Sequence, residues 1–255
     1  MASLDPETLI EAYCNGVFPM ADPDGKVRWY TADPRGVFPL DQFHIPKNLA
    51  QLMRSPKNEF EIRINHNFER TMRACMEQRT SRTWINQQMI DAYLRLHDLK
   101  LAHSVEVWQR GELAGGLYGV SIRGAFFGES MFSRRSDASK VALAWLVARL
   151  KTGGYTLLDC QFMTPHLASL GAVSISRRAY VSLLSGALGG AGDGGGGASG
   201  AGVTALGGSA VGVTGSSRTS PPDLLALDRL LEATGASGSA TAEGYVIAQL
   251  LGQTS

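Results

Sequence analysis

Residues 103–160 constrain the fold more than any other stretch, because five segments of regular character follow one another there with only short turns between them. Residues 103–109 alternate, with Val105 and Val107 on one face. Arg110-Gly111-Glu112 reads as a hairpin turn into a second strand over 113–122. Arg123-Gly124 joins that strand to a third over 125–132. Residues 137–150 predict a strong amphipathic helix ended by Gly153-Gly154, and residues 155–160 predict a further strand. An antiparallel meander, a helix and another strand make an α/β (α+β) arrangement.

Two of these strand runs lead into carboxylates. Phe126-Phe127 precede Glu129 in Gly128-Glu129-Ser130-Met131-Phe132-Ser133, and Leu157-Leu158 precede Asp159 in Asp159-Cys160-Gln161. A carboxylate at the end of an apolar strand is costly to bury unless it is paired or hydrogen-bonded. Two readings fit: a reaction centre with two carboxylates and an amide, or strand-end carboxylates that cap neighbouring backbone. Strand alternation puts residues 159 and 161 on one face and Cys160 on the other, which argues against Cys160 as a nucleophile.

Upstream, Asp5-Pro6-Glu7 is a helix start, and that helix should end near Asn15-Gly16. Short strands are predicted over 27–30 and 36–40, then a helix over 46–54, a strand over 60–64 and helices over 68–76 and 85–99. Ile85, Met89, Tyr93 and Leu96 form an apolar stripe on the last of these. Further helices are predicted over 164–170 and 178–184. Residues 186–220 are mostly Gly, Ala, Ser, Thr and Val, too little to bury against their ordering entropy, and read as a flexible linker. Beyond it, 221–231 and 243–251 each predict a short helix, and neither makes a domain. The expected organisation is a small N-terminal region over 1–45, a domain over 46–185 and a Gly/Ala/Ser-rich, largely disordered tail over 186–255.

The net charge of +1 hides an asymmetry: +4 up to residue 185 and −3 beyond it. Arg63, Arg70, Arg73, Arg79 and Arg82 crowd one region, and Arg134, Arg135 and Lys140 another. A modest basic face fits phosphate contact and equally a solvated surface. Cys14, Cys75 and Cys160 lack metal-ligand spacing, and none of the five histidines pairs with Cys, Asp or Glu at such spacing, so no metal is expected. With no signal peptide and no long apolar run, the expectation is a cytoplasmic protein with no membrane partner.

Several motifs, in order over residues 5–185, carry a resemblance. They include Asn15-Gly16-Val17-Phe18-Pro19, Thr31-Ala32-Asp33-Pro34-Arg35-Gly36, Thr83-Trp84-Ile85, Phe127-Gly128-Glu129-Ser130-Met131-Phe132-Ser133, Leu158-Asp159-Cys160-Gln161 and His166-Leu167-Ala168-Ser169-Leu170-Gly171-Ala172. The chain resembles the bacterial leucyl/phenylalanyl-tRNA–protein transferases. That resemblance implies a small N-terminal region plus an acetyltransferase-like (GNAT-like) catalytic domain. It implies transfer of Leu or Phe, and less well Met, from aminoacyl-tRNA to proteins beginning with Arg or Lys, marking them for N-end rule degradation. It implies no cofactor, no DNA partner and a monomer.

By the same resemblance, Asp159 and Gln161 sit beside the ester, with Asp159 an electrostatic partner of the incoming amine or its base through Gln161. Glu129 holds the α-amino group of the transferred residue. Leu117, Phe126, Leu143, Leu146 and Leu158 form the apolar hole for its side chain, which accepts Leu, Phe and Met because such a pocket separates apolar side chains poorly. Trp84 stacks near the terminal adenosine of the tRNA, and Arg79, Arg82 and Arg134 meet acceptor-stem phosphates. The chain departs from longer members at Met20, where they carry a Trp near the adenosine; here either the base contact is weaker or Met20 packs against the base instead. The tail after Ser185 is read as having no counterpart in the family.

Three other readings compete. An acetyl-CoA enzyme needs a Gly-rich phosphate loop entering a helix, and residues 133–137 contain no glycine. An RNA-binding module explains the basic clusters but not the carboxylates. A cell-wall aminoacyltransferase shares the donor and differs in its acceptor.

Overall fold

Two short turns set the sheet. In a computed structural model of the chain, whose described residues are 4–43, 45–78, 83–189 and 221–252, β5 (Ala102–Gln109), β6 (Glu112–Ile122) and β7 (Ala125–Ser133) form the expected meander. Arg110 and Gly111 both take positive φ (53° and 78°), the two-residue hairpin geometry whose twist matches that of the flanking strands. The chain then crosses through α5 (Ala138–Thr152) to β8 (Leu157–Gln161), which pairs parallel with β7.

Among the described residues the sheet has seven strands, and its far side comes from segments before and after the meander. β4 (Phe60–Ile64) flanks β5, while β3 (Arg35–Phe38) and β9 (Val173–Ile175), the latter preceded by the short helix α6 (Pro165–Ser169), extend it beyond β8, in the order β4-β5-β6-β7-β8-β3-β9. β3 belongs to the stretch read as a separate N-terminal region over 1–45, yet it lies within the sheet, antiparallel to both β8 and β9. Among the described residues, only β1 (Phe18–Ala21) and β2 (Val27–Tyr30) form their own two-stranded ribbon. β1 and β9 escaped the sequence reading: Pro19 interrupts the first, and the second has only three residues.

Two apolar layers cover the sheet. On one face lie α1 (Pro6–Cys14), α3 (Phe68–Glu77), α4 (Gln87–Asp98) and α7 (Arg177–Ala187), through Leu9, Met72, Met89, Leu96 and Leu184. Asp5 caps α1 by accepting from the Thr8 amide, with Pro6 in the first turn, as its sequence predicts. The other face carries α5 and α2 (Lys47–Arg54), with Val105 and Val107 beneath them.

The structure corrects the reading of α5 as amphipathic. Every residue from Ala138 to Leu150 except Lys140 is buried. A helix apolar all round must be covered on all sides. The outer cover is the C-terminal segment: α8 (Ala226–Ala233) and α9 (Ala240–Gly252) bury Leu227, Leu231, Ile247 and Leu251 in the same core. Arg149, 2% exposed, donates to Asp228 at 2.8 Å and to the Leu224 carbonyl at 3.2 Å. So the two predicted C-terminal helices exist, but as packed parts of the fold rather than as pieces of a disordered tail. Residues 190–220, the bulk of the expected linker, lie outside the described residues. Among the described residues, no helix is long and apolar enough to cross a membrane.

Candidate active site

The site lies where β7 and β8 part. Their pairing runs only from Ala125↔Leu157 to Phe127↔Asp159, although β7 continues to Ser133. Two residues past the last pair, Glu129 and Gln161 face each other, and Gln161 Nε2 donates to Glu129 Oε1 at 2.7 Å. A cavity of about 370 Å³ lies here, lined from β7 by Gly128, Glu129, Ser130 and Met131 and from β8 by Leu158, Cys160 and Gln161.

Local backbone features aim these two side chains. In the β6–β7 register Gly119 faces Gly128 while Tyr118 faces Ser130, so Glu129 is the extra residue of a β-bulge. Gly119 is required there: a Cβ on it would lie 2.3 Å from the Phe127 carbonyl oxygen. Gln161 sits at φ 63°, outside strand geometry, and opposite it the β3–β8 ladder is irregular at Gly36/Val37. A non-glycine residue in that region costs about 1 kcal/mol or more, held in place by its surroundings.

Glu129, 7% exposed, is enclosed by donors. Tyr13 donates to its Oε1 at 2.7 Å and Tyr93 to its Oε2 at 2.9 Å, which uses both hydroxyl protons and leaves the two hydroxyl oxygens in close contact. Burial pushes the Glu129 carboxyl up to about 7; the hydrogen bonds from Tyr13, Tyr93 and Gln161 oppose this and the charge of Asp159 adds to it. Burial, then the charge of Glu129, holds both tyrosines well above their ordinary range.

Asp159 has the opposite environment. It is fully buried, and Arg35, also fully buried, grips it twice: Nε to Oδ1 at 2.9 Å and Nη2 to Oδ2 at 2.6 Å. Tyr180 donates to Oδ2 at 2.8 Å and the Gln161 amide to Oδ1 at 2.8 Å. Arg35 also donates to the Gly16 carbonyl at 3.0 Å and lies against the rings of Phe18 and Tyr180, 4.8 and 4.5 Å from their centroids. Burial works to lower the Arg35 pKa, and the hydrogen bonds and charge of Asp159 outweigh it, so the guanidinium is held charged.

The matches to known families decide the identity. The family model described as "Leucyl/phenylalanyl-tRNA protein transferase" matches residues 37–185, and the model of its N-terminal domain matches residues 2–33. The chain belongs to the leucyl/phenylalanyl-tRNA protein transferase family.

Family members of the same printed name are close in sequence. The one from Paramagnetospirillum magneticum is 54% identical over 192 residues, 74% of this chain and 91% of that protein. The one from Rhizorhabdus wittichii is 48% identical over 263 aligned residues and covers 100% of both chains. This second relative corrects the reading that the tail has no family counterpart: its match extends through the C-terminal segment. Among solved structures, "The structure of L-PGS from Bacillus licheniformis" is 16% identical, covering 65% of this chain and 55% of that one at a TM-score of 0.36, too slight a likeness to bear on the fold.

Residues chosen from the leucyl/phenylalanyl-tRNA protein transferase resemblance fall in different places. Glu129, Gln161, Leu117, Leu143, Leu146, Leu158, Trp84 and Met20 all line the cavity. Phe126 does not; it is fully buried in the core behind these leucines. Asp159 does not either, and Cys160, read as pointing away, does. Gln161 ends β8 at a positive φ, and its side chain meets Glu129. Burial, then the charge of Asp159, raises the Cys160 thiol well above its ordinary range, which disfavours a thiolate nucleophile. Arg134 is exposed, paired with Glu77 at 3.0 Å away from the cavity lining. Arg79 and Arg82 lie outside the described residues.

Sequence reasoning missed Arg35, Tyr13, Tyr93 and Tyr180. Signals existed for two of them. Tyr93 lies on an otherwise apolar stripe, where a tyrosine hydroxyl needs a partner. Arg35 begins a buried strand, where an arginine must find an acid. Among the described residues, no group of three His, Cys, Asp or Glu side chains converges as a metal site.

Proposed function

We propose that the protein transfers leucine or phenylalanine, and methionine less well, from aminoacyl-tRNA to the α-amino group of proteins that begin with Arg or Lys, marking them for N-end rule degradation. Family membership supports the reaction class, and one observation carries the reading to atoms: an apolar cavity that ends at Glu129 and Gln161. Leu117, Leu143, Leu146 and Leu158 take the side chain, with Phe126 backing them. Glu129, ionised, holds the donor's α-ammonium, and the Gln161 amide orients the attacking amine or the ester carbonyl. Trp84 stacks on the terminal adenine and Met20 packs beside it. Arg79, Arg82 and Arg134 meet acceptor-stem phosphates.

The donor ester is already activated, so positioning supplies most of the rate. The attacking nitrogen forms a bond to the carbonyl carbon, the ester C–O bond breaks, and the departing ribose oxygen takes up the proton that the amine loses. In this reading Asp159 is an electrostatic anchor rather than the base. Its four donors occupy both oxygens, and its work is to fix Gln161 through the backbone amide and to neutralise Arg35. The opening between the parallel pair β7 and β8 supports an acetyltransferase-like (GNAT-like) catalytic fold; the family resemblance implies that it acts as a monomer in the cytoplasm.

Donor choice tests the reading. In single turnover with an Arg-initiated peptide, Leu-tRNA and Phe-tRNA should be used well, Met-tRNA less well and Glu-tRNA not at all. Equal use of Glu-tRNA would contradict the apolar pocket assignment.

A further inference from the structure

Ser130 is the next residue along β7 from Glu129, and it lines the cavity. Its residue is 8% exposed, and among the described residues its Oγ has no hydrogen-bond partner. A buried hydroxyl without a partner is a net cost to the fold, so the fold alone gives no reason for a serine here.

The register shows which end of the cavity Ser130 serves. Ser130 stands directly opposite Tyr118, so the two side chains share a face of the sheet. Tyr118, Trp84 and Met20 belong to or pack against one apolar layer, whereas Leu117, Leu143 and Leu158 belong to the other. The leucines take the aminoacyl side chain, so Ser130 lies at the nucleoside end. The polar group a donor brings there, one ester bond from the α-carbon, is the free hydroxyl of its terminal ribose. A serine can both donate to it and accept from it.

We propose that the Ser130 hydroxyl hydrogen-bonds the free ribose hydroxyl of the donor's terminal nucleoside and so positions the ester between Glu129 and Gln161. This rests on the aminoacyl-tRNA reading above. Satisfying an orphaned group only when substrate is bound places the gain in the bound state.

The test is a cycle of two enzymes and two donors. Leu-tRNA ending in adenosine and Leu-tRNA ending in 2′-deoxyadenosine, charged at the 3′ position, are compared for wild type and Ser130→Ala in transfer to an Arg-initiated peptide. Wild type should lose about tenfold in kcat/KM on the deoxy donor, equivalent to about 1.4 kcal/mol. Ser130→Ala should lose the same on the ribo donor and nothing further on the deoxy donor. Its melting temperature should equal or exceed that of wild type. Ser130→Cys, close in size and a weak hydrogen-bonding group, should match Ser130→Ala. Fully additive losses, or a Ser130→Ala variant as fast as wild type on the ribo donor, would overturn the proposal. Failure of wild type to use the ribo donor at all would instead overturn the transferase reading, and this proposal with it.

Discussion

Glu129 and Asp159 are both buried carboxylates, yet their surroundings set them opposite tasks. Asp159 is matched to a cation, so breaking the pair leaves an uncompensated buried charge. Arg35→Met should destabilise the protein by about 3–5 kcal/mol in urea unfolding, and the double change Arg35→Met with Asp159→Leu should recover most of that loss while abolishing transfer. Among the described residues Glu129 has no salt-bridge partner, and its folded-state pKa is raised from 4.5 to about 7. The folded protein therefore binds a proton that the unfolded chain releases between about pH 4.5 and 7, so this group makes stability fall as pH rises through that window, by about 3 kcal/mol in all. His103 acts with the opposite sign. Burial lowers it from 6.5 to about 4, so stability rises with pH over that range. Wild-type stability should thus be nearly flat from about pH 4.5 to 6.5, and Glu129→Gln should unmask a rise, read by denaturant unfolding at a series of pH values. Transfer should weaken below about pH 7 through a higher KM for donor, because neutral Glu129 no longer attracts an ammonium.

At the scale of elements, the site depends on two departures from regular strands. Gly119→Ala would drive a Cβ to 2.3 Å from the Phe127 carbonyl and force the β6–β7 bulge to move. It should cost about 1–3 kcal/mol by thermal unfolding and lower kcat for transfer, because Glu129 is the residue the bulge aims. These departures also mark where the sequence stopped being legible. The meander, α5 and β8 were readable from turn residues and period, and Glu129 and Gln161 from motif resemblance. Strand alternation alone then set Asp159 beside Gln161 and Cys160 away from the cavity. No local residue pattern announces a positive φ at Gln161, and nothing near residue 159 points to Arg35, whose partner is 124 positions away. Tyr13 was hidden for a related reason: on a helix it looks like core, and only the packing of α1 and α4 brings its hydroxyl and that of Tyr93 to one carboxylate.

At the scale of the molecule, the C-terminal segment completes a core rather than trailing from it. The unbroken apolar run 141–148 in α5 was the available signal, since a helix of that kind needs cover on its outer side as well as from the sheet. Ile247→Ala and Leu227→Ala should each cost about 2–5 kcal/mol, measured by chemical unfolding, as expected for fully buried residues. Removal of residues 221–252 should strip that cover from α5 and with it the support of Leu143 and Leu146, so transfer should fall even where the truncated chain still folds. The central claim is the reaction itself. Its most direct test is transfer of radiolabelled leucine from Leu-tRNA to two peptides that differ only in their first residue, Arg or Ala. Label is expected on the Arg peptide and none on the Ala peptide; binding of Leu-tRNA with transfer to neither, or equal transfer to both, would contradict the proposed reaction.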